Sequence, residues 1–265
     1  MNKLKYAYVF RRDFQNPGDL YSCIMHYLNA DYQSIMIDVY NSKIPKIDVD
    51  VVFVGGGAIF STTKFINNVD KVLSNINAKY KIAWGVGLTE ELKTTIQSNF
   101  NLFGSRDFRG DENQWVPCPS AFHPLITHNL NKKPTKNFLV IDHWKRPIEF
   151  NHDHTRMINK PNNIESIIEA ISNHERIFTS SYHVAYWATL LQKRTYVIGE
   201  NLPGKFFTMK HSPVIAERYT DDLLQQGTVY YNAYNECINA NKKFKKQVEN
   251  LIGEQVTCIN PNFNL

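Results

Sequence analysis

Short apolar runs, many of them β-branched, recur along the chain between turn-forming residues, and the segments joining them carry apolar positions at helical spacing. That alternation predicts parallel strands covered on both faces by crossover helices, because a strand with no solvent face loses its period-two polar pattern. The first strand is predicted at 6–10, followed by a polar loop and an amphipathic helix over 19–28. Further strands are predicted at 34–39 and at 51–54, the second running into Gly55-Gly56-Gly57, with a helix over 65–73. A strand at 82–84 runs into Gly85-Val86-Gly87; 89–100 reads as its helix with Thr89 as N-cap, and 102–105 as a short last strand.

Periodicity fails between 117 and 136, where Pro, Asn, His and Lys dominate, and a domain crossover is placed there. A second half follows, with strands at 138–141, 176–179 and 195–198 and helices at 164–171 and 183–191. A long helix over 231–252, bearing Lys242, Lys243, Lys245 and Lys246, is expected to pack back across both halves. The fold class expected is α/β, with two Rossmann-like domains, 1–125 and 135–235, facing a cleft and a C-terminal helix and tail at 236–265. No repeat of short fixed period interrupts this pattern.

The length of 265 residues suits two domains of roughly 100–150 residues each. With 43% hydrophobic and 21% charged residues and no low-complexity tract, the chain is not of a disordered or fibrous class. A net charge of +5 favours a phosphorylated donor, an anionic glycan or nucleic acid without choosing among them. The four cysteines, Cys23, Cys118, Cys237 and Cys258, form no C-x-x-C pair, so they read as free thiols and signal neither zinc nor a disulfide scaffold. No apolar leader opens the chain and no run approaches the roughly 18 apolar residues that cross a bilayer, so the cytoplasm is the expected location.

Candidate chemistry gathers at strand ends. Asn16-Pro17-Gly18-Asp19 opens a predicted helix, where unpaired N–H groups and the helix dipole suit an anion; a turn with an Asp cap is the plainer explanation. The glycines at 55, 56 and 57 and at 85 and 87 would leave bare backbone where open α/β sheets bind ligands, although neither cluster has the spacing of a dinucleotide fingerprint or a P-loop. Arg106, in Ser105-Arg106-Asp107, is either a clamp for carboxylate or phosphate or half of a salt bridge with Asp107. Ser180, Ser181 and His183 stand at a strand-to-helix junction, with His183 as acid, base or phosphate contact. Lys205, Lys210 and His211 add cations over the same cleft or are solvated. His152-Asp153-His154 lacks a third spaced ligand and reads as a polar turn, so no metal is expected. The lysine run of the last helix is a solvated face, with nucleic-acid contact through Phe244 as the minority reading.

In this order, Asn16–Asp19, DVVFVGGGAIF at 50–60, AWGVGL at 83–88, SRD at 105–107 and SSYH at 180–183, the motifs resemble those of the polysaccharide pyruvyl transferase superfamily over roughly 8–199. The resemblance implies a glycosyltransferase-B-like fold, phosphoenolpyruvate as donor, a ketal-forming transfer onto a pair of sugar hydroxyls, and no required cofactor. It gives Arg106 the donor's carboxylate or phosphate and His183 an acid–base or phosphate role. The family's Arg-Leu-His motif here stands as Ser181-Tyr182-His183, which removes charge-assisted bonds worth roughly 1.5–3 kcal/mol each. Lys205, Lys210 or His211 would then compensate, or the donor would be another, such as a nucleotide sugar. In that alternative the acceptor is a saccharide, a small molecule or modified nucleic acid, and Asp19 or Asp13 is the base. A degenerate member that only binds a glycan or a partner is the non-catalytic reading.

Overall fold

The computed structural model describes residues 4–28, 34–41, 43–88, 96–159 and 164–256. Two parallel five-stranded sheets carry the fold. The first contains β1 (Tyr6–Phe10), β2 (Ser34–Asp38), β3 (Ile47–Phe60), β4 (Ile76–Leu88) and β5 (Leu102–Ser105), in the order β2-β1-β3-β4-β5. The second contains β6 (Lys136–Asp142), β7 (Thr155–Ile158), β8 (His174–Thr179), β9 (Arg194–Ile198) and β10 (Val214–Ala216), in the order β10-β9-β8-β6-β7. The order reverses between β1 and β3 in one sheet and between β6 and β8 in the other, and crevices at such reversals are where open α/β sheets take ligands.

Helices α1 (Pro17–Leu20), α2 (Thr63–Leu73), α3 (Pro124–Asn129), α4 (Ile164–Asn173), α5 (Tyr182–Leu190) and α6 (Ala233–Ile252) join or follow the strands. The chain forms two compact units, one of Met1–Asp13, Asp19–Ser120 and Cys237–Leu265, the other of Phe14–Gly18 and Ala121–Glu236. Each has its own core. Val9, Val52, Val54, Phe60, Val69 and Ala83 pack together in the first, and Val140, Phe150, Phe178, Tyr196 and Ile198 in the second. Thr62 starts α2 by accepting a hydrogen bond from the Phe65 N–H on its hydroxyl. Helix α5 is buried at all nine positions, as its sequence YHVAYWATL, without a polar stripe, requires.

Several boundaries differ from the sequence expectation. The helix expected over 19–28 is broken into α1 and a 3₁₀ turn at Ile24–Tyr27, with Cys23 extended between them. The Ser22 carbonyl accepts from Gly56 N–H of β3 at 3.2 Å, and so is taken by the sheet instead of continuing a helix. Strands β3 and β4 run through their glycines to Phe60 and Leu88, where the sequence had them end at 54 and 84. Short edge strands β7 and β10 and helix α3 carry too little apolar pattern to be seen in sequence. Thr89, most of the helix expected over 89–100, and Cys258 lie outside the described residues.

In the first unit, Trp84 of β4 donates its indole N–H to the Asn241 side chain at 2.8 Å, and Asn241 donates to the carbonyls of Pro117 and Cys237. Phe244 meets the Trp84 ring edge-on at 5.0 Å, so the aromatic inside the lysine run faces the core. Among the described residues no helix is long and apolar enough to cross a membrane.

Candidate functional site

In the first unit the candidate residues line the carboxyl ends of β3, β4 and β5. Glycine is used here mostly for close approach of protein to protein. A side chain at Gly55 would strike the Trp84 carbonyl at 2.4 Å, at Gly56 the Ser22 carbonyl at 2.5 Å, and at Gly85 the Pro119 ring at 2.8 Å. Gly85 also has φ +62°, a left-handed conformation that other residues adopt only with strain. Gly57, at φ +70°, is more open: its nearest neighbours would be the Asp19 carboxylate at 3.3 Å and the Ser22 hydroxyl at 3.5 Å. Asp19 and Gly57 are therefore brought together.

Arg106 follows β5 and is only 2% exposed. Its guanidinium lies along the backbone of Gly87, where a Cβ would sit 2.7 Å from Nε. Asp107 turns its carboxylate to the Leu88 N–H at 2.8 Å, so it stabilises the end of β4. Cys118 is buried beside this cation and beside Asp19. Burial pushes its thiol up, against the hydrogen bonds of Ser120 and the positive charge of Arg106.

In the second unit Gly18 and His183 meet. A Cβ on Gly18 would fall 2.2 Å from His183 Nδ1, so only the bare backbone lets the loop close over the imidazole. The Asn16 side-chain carbonyl accepts from Gly18 N–H at 3.2 Å and holds that loop turned. His183 itself lies in the first turn of α5, buried to 5% exposure between Tyr182 and Trp187. Ser181, the N-cap, uses its hydroxyl to accept from the Asn159 amide at 2.9 Å, and Ser180 accepts from His143 N–H at 3.0 Å while donating to the Arg146 carbonyl. Ser180 thus ties the loop after β6 to the end of β8, and Ser181 ties the end of β8 to the residue after β7.

The loop after β6 was not singled out in the sequence, though His143-Trp144-Lys145-Arg146 at a strand's carboxyl end is the signal that elsewhere marked candidates. Burial, and then the charges of Arg146, Lys205 and Lys145, hold the His143 imidazole below its ordinary value, so three cations converge on this strand end. Lys205 stands 5.7 Å from the centres of the Tyr182 and Phe206 rings, beside the first turn of α5. Lys210 and His211 are drawn away: both pair with Glu236, at 2.8 and 3.0 Å. Asp13 receives Arg11 at 3.2 Å. His152 bonds Asp221 and His154 bonds the His152 carbonyl, and among the described residues no group of three His, Cys, Asp or Glu side chains is placed to hold a metal ion.

A family model described as polysaccharide pyruvyl transferase matches residues 4–201. No curated protein matches the chain. A solved structure of a functionally uncharacterised protein from Klebsiella pneumoniae subsp. pneumoniae NTUH-K2044 is similar at 13% identity and a TM-score of 0.47, over 82% of this chain and 93% of that one.

Proposed function

The chain belongs to the polysaccharide pyruvyl transferase family and is a transferase, and from that premise we propose that it moves the pyruvyl group of phosphoenolpyruvate onto two hydroxyls of a sugar. The observation that carries the choice of donor is Arg106, a guanidinium buried to 2% exposure against the bare backbone of Gly87. A buried cation held in place by its surroundings is preorganised for an anion and reorganises little when charge shifts during reaction. In this reading Arg106 takes the donor's carboxylate or phosphate.

Transfer needs a proton delivered to the donor's methylene carbon, addition of one acceptor hydroxyl at the adjacent carbon, and displacement of phosphate by the second hydroxyl. The products are a ketal and inorganic phosphate. His183 is the acid–base group of this scheme, its ring held under Gly18 and between two aromatic rings. Lys205, with Lys145 and Arg146, supplies cationic charge that Ser181 does not. Asp19, beside Gly57, is available to orient an acceptor hydroxyl.

A ligand that binds only the folded chain raises its melting temperature, so phosphoenolpyruvate is expected to give a thermal shift that Arg106→Ala abolishes. Activity with a glycan precursor is expected to fall about 10²–10³-fold in Arg106→Ala and about 10²–10⁴-fold in His183→Gln. A shift with nucleotide sugars and none with phosphoenolpyruvate would replace this donor. Ser181 is the observation on the side of that second reading, since its hydroxyl is engaged by Asn159 and brings no charge.

A further inference from the structure

The second unit contains a cavity of about 640 Å³ of whose lining only Arg146 has a role above. It lies at the carboxyl ends of β9 and β10, floored by Ile198 and Gly199 and walled by the loop after β6 and by residues 217–219. Its volume is within the roughly 300–1,000 Å³ typical of small-molecule sites. Three carboxylates, Glu149, Glu200 and Glu217, face it together with two guanidiniums, Arg146 and Arg218, and one aromatic ring, Tyr219.

This lining selects a chemistry. Carboxylates accept but do not donate, and each offers two oxygens to neighbouring hydroxyls, while guanidiniums donate to ether and hydroxyl oxygens. Glu200 pairs with Arg218 at 3.9 Å, which leaves Glu149 and Glu217 against Arg146, so a phosphorylated donor would meet net repulsion, whereas an uncharged polyol would not. Tyr219 is fixed as a platform: its hydroxyl donates to Asp221 at 2.9 Å, and its ring packs against Phe150 with centroids 4.5 Å apart. Burial and the Asp221 carboxylate push its phenol up to about 12, so it stays neutral at physiological pH.

We infer that this cavity is a binding site for an uncharged saccharide, the acceptor glycan of the transfer. Why a sugar should bind rests on the transfer reading; where it binds rests on the cavity alone. The carboxylates hold adjacent hydroxyls and the Tyr219 ring carries the apolar face of a sugar. Glu149, Glu200 and Glu217 are exposed, so their loss does not touch the core.

The test is saturation-transfer NMR on the full chain with uncharged disaccharides built from gluco, galacto and N-acetylhexosamine units, and with uridine monophosphate as the competing probe. Saccharide signals are expected from the wild type, with affinity weakened roughly tenfold or more in Glu149→Ala/Glu217→Ala, whose melting temperature is unchanged, and retained in Arg106→Ala. Absence of saccharide signal at millimolar concentration, equal signal in the double variant, or binding of uridine monophosphate alone at these residues each overturns the inference. Saccharide binding without any phosphoenolpyruvate shift leaves this site standing and removes the donor assignment; the reverse pattern removes this site and leaves the donor.

Discussion

At Gly18 a single methyl group decides whether the imidazole of His183 keeps its place. An alanine there would put a carbon 2.2 Å from Nδ1, so the loop or the ring must move. Gly18→Ala is expected to cost about 1–3 kcal/mol of stability and to reduce activity nearly as far as His183→Gln, measured by urea denaturation and turnover. Gly204→Ala is the control: its added methyl meets nothing within 4 Å, and the change is expected to stay within about 0.5 kcal/mol. His143 offers a second residue-scale check. The Lys205 charge opposes its protonation, so Lys205→Met is expected to raise the His143 pKa, read by NMR titration of its ring protons. Gly18 and His183 were each legible in the sequence as candidates, from a turn motif and a strand-to-helix junction. That they touch was not, because 165 positions separate them and no local pattern encodes that pairing.

Among the elements, helix α6 is tied to the first sheet by a buried amide as well as by Phe244. Asn241 is fully buried; it accepts from the Trp84 indole and donates to the Pro117 and Cys237 carbonyls. Asn241→Leu keeps the volume but leaves the Trp84 N–H and the Pro117 carbonyl buried without these partners, at about 1–3 kcal/mol each. A lowered denaturation midpoint with an unchanged slope is the expected result. The strands buried on both faces, β1, β3, β4, β6, β8 and β9, were legible because their apolar runs are continuous. The break inside 19–28 was not, since its apolar spacing is that of a helix and the competing bond comes from Gly56, in another strand. Edge strands β7 and β10, half-solvated and three or four residues long, leave almost no pattern to read.

For the whole molecule, acid stability follows from three histidines in two units. His26, His143 and His174 are each held below their ordinary value, mainly by burial. The folded chain therefore takes up these protons less readily than the unfolded chain, whose histidines titrate near 6.5. Stability is expected to be full above about pH 6.5 and to fall as pH drops from there through the lowered folded values, a dependence that urea midpoints across the pH 5–8 range would record. The sequence by itself determined the α/β class, the burial of most strands and the motif order that marks the family, because all three are carried by local residue type and spacing. Only the tertiary structure decided which glycines face protein and which face space. It also decided which cations gather about His143 and which pair with Glu236, and it alone formed the carboxylate-lined cavity beside Tyr219. Those depend on side chains far apart in the chain, brought together by the packing of strands and loops.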